Sequence, residues 1–156
     1  LVGPLMIILP SRDELDEVSY KRGMEISLFR RVISFFFDMV LKESLDGFTN
    51  LSSIDFTLYI HSIYMAFYNY KKEVLLIYHS NLSSLLLDVL SKRFQFSEIA
   101  IEFPLTKQYE LSYIIGGIYN NLIFWMSRDM SETPDELTAI SLEFRDEDSI
   151  SLLSLR

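Results

Sequence analysis

The sequence predicts an all-α protein, and three observations carry that prediction. Apolar residues recur at steps of three and four, as in Ile26, Phe29, Ile33, Phe36, Phe37 and Val40, which is the period of an amphipathic helix. Helix-start chemistry stands at Ser52-Ser53-Ile54-Asp55 and at Thr133-Pro134-Asp135-Glu136, where hydroxyls and carboxylates can satisfy the free N–H groups of a first turn. No run of alternating residues is bounded by hairpin signals, and no internal repeat or low-complexity tract is found.

Composition narrows the class further. A chain of 156 residues is expected to form one domain with a sizeable core. It has no cysteine, which fits a reducing cytosol, and the expected location is cytoplasmic. Apolar residues make up 49% of the chain and the mean hydropathy is positive, so either the interior is large or apolar surface meets a partner. The net charge of -8, from 14 Lys and Arg against 22 Asp and Glu, disfavours direct contact with nucleic-acid phosphates. The opening LVGPLMIILP has no basic stretch and is broken by Pro4 and Pro10, unlike a secretory signal. Because the chain opens on Leu1, a fragment or processed product is expected.

Taken in order, residues 1–23 read as an N-terminal arm or linker remnant, an apolar piece followed by a charged one without sustained period. A helix is predicted from Met24 to Asp46, with Gly47 placed to close it as a left-handed cap. Phe35, Phe36 and Phe37 give it apolar cover on more than one side, as in ordinary core packing. A second helix, about Asp55 to Asn69, sets His61, Tyr64, Met65 and Tyr68 on one side. Aromatic area with hydroxyl and imidazole tips suits a small-molecule site, and it equally suits a core face whose polar tips find backbone partners. With Phe36 of the preceding helix, these four are the candidate ligand-binding residues. Lys71-Lys72-Glu73 reads as a solvated turn before the apolar Val74–His79, and Asn81 as the cap of an amphipathic helix from Leu82 to about Phe96. FSEIAIEFP is a connector that ends on Pro104, a favoured first residue for the next helix.

That next helix, Pro104 to Ser127, is the longest apolar element, with no charged side chain from Leu111 to Ser127. At about 100° per residue, Leu111, Ile115, Ile118, Leu122 and Trp125 form one stripe and Tyr113, Gly116, Gly117, Asn120 and Phe124 the opposite one. Each mid-helix glycine costs about 1 kcal/mol against alanine, so a stripe holding two of them needs a close neighbour. A helix buried on both sides most simply lies between its own core and a second copy. A membrane span is disfavoured by Asn120 and Asn121 in mid-segment and by the depth of Tyr113 and Tyr119. Thr133-Pro134-Asp135-Glu136 then opens a final helix that repeats Leu137, Ile140 and Phe144 on one face. Asp146-Glu147-Asp148 closes the predicted domain, residues 24–148, and 149–156 form a C-terminal tail.

Tyr109, Ile114-Ile115-Gly116-Gly117, Trp125 and Met130-Ser131-Glu132-Thr133-Pro134-Asp135-Glu136-Leu137 together resemble the closing signature of the TetR/AcrR family of bacterial transcription regulators. YNYKKEVLLIYHSNLSSLLLDVLSKRF is similar to the middle helices of that family's regulatory domain, and the likeness covers residues 24–146. It implies a helical effector-binding domain that forms a homodimer through a four-helix bundle, built from the glycine-bearing helix and the last helix of each copy. Tyr113, Gly116, Gly117, Asn120, Phe124, Leu137, Ile140 and Phe144 are the candidate interface residues, although the likeness leaves open which stripe of the long helix faces the partner. It also implies an apolar or aromatic small-molecule effector, and DNA contact through a helix-turn-helix head for which residues 1–23 are too short. A headless pairing or decoy module is the alternative. An enzyme is not expected: there is no glycine-rich phosphate loop, His61 and His79 have no partner at metal-ligand spacing, and no cofactor is predicted.

Overall fold

The computed structural model describes residues 11–45, 56–95 and 100–144, and among them every regular element is helical. Six α-helices follow in order: α1 Arg12–Leu45, α2 Phe56–Asn69, α3 Lys71–His79, α4 Leu85–Leu90, α5 Leu105–Ser127 and α6 Pro134–Glu143. A π-helical turn, Ser91–Gln95, extends α4, and a 3-10 turn, Ala100–Glu102, precedes α5. The Gly47 cap, the Ser52–Asp55 capping box, the acidic run 146–148 and the tail lie outside the described residues. Two compact units are formed, Leu1–Val32 and Ile33–Arg156.

In the first unit, α1 begins at Arg12, well upstream of the predicted Met24. Two properties extend it through a stretch without apolar period. Asp13 and Glu17 sit near the helix start, where negative charge complements the backbone dipole. Glu17 also pairs with Lys21 one turn on, at 3.3 Å, a spacing worth a few tenths of a kcal/mol. Tyr20, Met24, Ile26, Leu28, Phe29 and Val32 are each at least half exposed.

The second unit holds the core. Ile33, Phe37, Val40 and Leu41 of α1 meet Ile60, Ile63 and Phe67 of α2, with the Phe37 and Phe67 rings stacked 6.2 Å apart. Val74 of α3 and Leu85, Leu86, Val89 and Leu90 of α4 close one side, and Ile115, Ile118, Leu122, Trp125 and Met126 of α5 fill the middle. Asp38 receives two N–H donations from Arg93, at 2.7 and 3.0 Å, tying α1 to the turn after α4.

Helix ends explain where the predicted boundaries differ. Lys71-Lys72-Glu73 is not a free turn but the first turn of α3, which starts directly after Tyr70. Asn81, predicted as an N-cap, has a φ of 59°. Its N–H donates to the Tyr78 carbonyl and the Leu82 N–H to that of Ile77, which is the Schellman closure of α3. Asparagine tolerates the left-handed conformation that closure needs, so the residue ends one helix, and α4 starts only at Leu85. The same closure ends α5, where Asp129 N–H bonds Met126 O and Met130 N–H bonds Trp125 O. The reversal delivers the chain to Thr133, whose hydroxyl accepts from Glu136 N–H at 3.2 Å while the Glu136 carboxylate accepts from Thr133 N–H at 2.8 Å. The predicted start of α6 is therefore observed as a complete capping box with Pro134 at its first position.

Candidate functional site

The two stripes of α5 divide as their residue types require. Ile115, Ile118, Leu122 and Trp125 are buried and Leu111 packs partly against them. On the opposite side Tyr113 is 83% exposed and Phe124 67%, and Gly117 and Asn120 are exposed as well. Gly116 is half-buried, yet a Cβ built on either glycine meets nothing within 4 Å. Among the described residues of one copy the glycine pair thus has no close neighbour to offset its helix penalty. Tyr109 adds to the same open face, and Ile140 of α6 and Phe144 at its C-terminal cap are about half exposed. Leu137, the remaining candidate on α6, packs partly on the core instead.

The α2 stripe is split by packing. Tyr64 is buried, and its hydroxyl shares a 2.7 Å hydrogen bond with Ser141 Oγ of α6. Burial pushes its pKa above the ordinary tyrosine value, with the Ser141 and Asn121 contacts opposing the rise. Its ring meets Trp125 edge-on at 5.7 Å, and Tyr68 stacks on the same indole at 6.1 Å. Lys71 lies 5.5 Å from the Tyr68 ring centre, a cation–π distance, and donates to the Met130 carbonyl at 3.1 Å. Trp125 Nε1–H in turn donates to the Glu132 carbonyl at 3.0 Å. Arg128 donates to the Glu132 carboxylate, a bond that holds that carboxyl below its usual range. Tyr64, Tyr68 and Trp125 therefore bind α2, α5 and the α5–α6 turn together.

His61 and Met65, on the neighbouring arc of α2, line an open groove of about 360 Å³ with Glu43, Ser44, Ser62, Ala66 and Asn69. His61 Nε2 lies 2.7 Å from Asp135 Oδ1 at the start of α6. Glu43 accepts from the Tyr70 hydroxyl at 2.8 Å, and Phe36 packs edge-on to Tyr70 at 5.7 Å. Of the five candidate ligand residues, the structure brings only His61 and Met65 to this groove. Phe36 joins the Tyr70 packing, and Tyr64 and Tyr68 turn to Trp125. Glu43 and Ser44, which complete the groove, carried no sequence signal, because only the packing of α1 on α2 brings them beside His61.

Among the described residues, no helix is long and apolar enough to cross a membrane. Comparisons with family models, curated proteins and solved structures find no match to this chain.

Proposed function

We propose that this chain is a homodimerising, ligand-sensing regulatory domain of the TetR type, with α5 and α6 of two copies joined in a four-helix bundle. The observation that carries this is the uncharged, exposed face of α5 at Tyr113, Gly117, Asn120 and Phe124, to which the half-exposed Ile140 of α6 and Phe144 at its end add apolar surface. Tyr109, Tyr113, Phe124 and Phe144 are 71%, 83%, 67% and 47% exposed. At ~200 Å² per aromatic side chain they offer roughly 500 Å² of open surface per copy. A standard interface covers about 800 Å² per partner, so these rings alone would supply more than half of it. The glycine pair favours a second helix as the occupant, since its missing side chains let a backbone approach closely.

In this proposal the described residues carry pairing and sensing only, in the cytoplasm, and DNA contact falls to a helix-turn-helix head outside them. The effector site is assigned to the α1–α2 groove at His61 and Met65, where one carboxylate and a thioether suit a neutral or cationic aromatic compound better than an anion. Such a ligand acts only by binding one dimer geometry better than another. Light scattering of the Phe124→Asp variant tests the pairing. Phe124 is exposed, so the fold of one copy should be kept within about 0.5 kcal/mol, while a buried, unpaired carboxylate should leave the variant monomeric. A Phe124→Asp dimer as tight as the parent, or a parent that stays monomeric at high concentration, would overturn it.

A further inference from the structure

We propose that the Leu1–Val32 unit pairs antiparallel with the same unit of a second copy, along a line of α1 formed by Glu17, Tyr20, Met24, Leu28 and Arg31. At about 100° per residue these five fall within an arc of roughly 80°, and all five are exposed. Tyr20, Met24 and Leu28 are 70%, 50% and 55% exposed, a continuous apolar seam at four-residue steps that none of the described residues covers. The ends of the seam identify the occupant. It runs from an acid, Glu17, through three apolar side chains to a base, Arg31, in an order that complements itself when reversed.

Turning a second copy end for end about Met24 sets Glu17 opposite Arg31 at both ends, Tyr20 opposite Leu28 twice, and Met24 opposite itself. A parallel copy in the same register sets Glu17 on Glu17 and Arg31 on Arg31, so like charges repel at both ends. The charged ends are ~21 Å apart along the helix, beyond the ~8 Å screening length at physiological salt, and therefore act independently. Glu17 already holds Lys21 at 3.3 Å, but a carboxylate has acceptor sites for a second cation. Every residue from Tyr20 to Val32 is exposed, and among the other lines of this segment Arg22, Ile26 and Phe29 have a charge at one end only and give no such match.

This pairing is independent of the α5 and α6 contact and weaker than it, so Gly117→Leu and Phe124→Asp chains that are monomeric on dilution still pair along α1 when concentrated. Its test therefore runs at high concentration on the full chain, in both the parent and the Gly117→Leu background. The sequence has no cysteine, so Tyr20→Cys and Leu28→Cys copies with different tags can be mixed and treated with a short bismaleimide. Antiparallel pairing predicts 20-to-28 cross-links in both backgrounds. A preference for 20-to-20 and 28-to-28 products, or no cross-link at either position, would overturn it. Charge reversal supplies the second readout. Glu17→Lys alone and Arg31→Glu alone should each weaken self-association in the Gly117→Leu background about tenfold. Their equimolar mixture should regain it, because the mixed pair has opposite charges at both ends. A mixture no tighter than either variant alone would contradict the antiparallel arrangement. Loss of the Phe124→Asp dimer with cross-linking retained would leave this inference standing, and the reverse pattern would remove it alone.

Discussion

Replacing Gly117 by leucine separates the fold of one copy from the pairing of two. A Cβ added there meets nothing within 4 Å and the position is exposed, so the new side chain leaves the copy's own core untouched. Leucine is nearly as good a helix former as alanine and glycine about 1 kcal/mol worse, so the monomer should gain ~0.8 kcal/mol. In a chain of this size that gain raises the melting temperature by about 2–4 °C. On the proposed dimer face the same side chain lies where two backbones approach. Overpacking costs about 1–3 kcal/mol for each intruding group, and two-fold symmetry introduces two, so the dimer should lose roughly 2–6 kcal/mol, on the order of 30-fold or more in Kd. Sedimentation equilibrium over a dilution series, run beside thermal unfolding, reads both effects. The expected variant is a monomer that melts higher than the parent does when diluted to monomer. A variant that dimerises with the parent's Kd would refute the assignment of the face, and a monomer that melts lower would refute the open space at position 117.

Three further outcomes follow from the packing of α2 and α6. Tyr64→Phe keeps the ring on Trp125 but leaves Ser141, itself buried, without its 2.7 Å partner; urea unfolding should show a loss of about 1–3 kcal/mol, and an unchanged midpoint would mean the bond contributes nothing. Thr133→Ala removes the hydroxyl that accepts from Glu136 N–H and should cost about 1 kcal/mol, read by the same unfolding curve, with Thr133→Ser restoring most of it. Burial raises the pKa of Tyr64 and, against the opposing charge of Arg93, that of Tyr59. The folded state thus holds these protons more tightly than the unfolded chain. Their contribution to stability is complete below about pH 10 and is lost as pH rises past it. Ultraviolet titration should find two tyrosines that ionise only with alkaline unfolding, and a single transition near pH 10 for all of them would contradict their burial.

What was legible in the sequence was what local spacing decides. The division of α5 into a buried Ile115, Ile118, Leu122 and Trp125 stripe and an open Tyr113, Gly117, Asn120 and Phe124 stripe follows from helical period alone. The start of α6 was legible because Thr133, Pro134 and Glu136 each do their work within three residues. Asn81 shows the limit of such local signals, since the same residue type can open a helix or close one. Only the Ile77 carbonyl, waiting for the Leu82 N–H, decided for closure. The beginning of α1 was missed for a related reason: a period of apolar residues is the strongest helix signal, and residues 12–23 are helical through charge placement instead. The α2 stripe could not be divided from sequence at all. His61, Tyr64, Met65 and Tyr68 share one side of a helix, and which of them meets the indole of Trp125 and which the groove beside Glu43 depends on how α1, α5 and α6 are set around it.

The face of α5 can be read directly with a spin label. Asn120 is exposed at the middle of the open stripe, and in a chain without cysteine the Asn120→Cys variant takes a single label. If α5 and α6 of two copies form the bundle, double electron–electron resonance or line broadening should give one short distance between the two labels, below about 20 Å for helices packed 8–10 Å apart. The signal should vanish when Phe124→Asp is added. Labels that show no dipolar coupling at concentrations where the chain is dimeric would place the contact elsewhere and contradict the account.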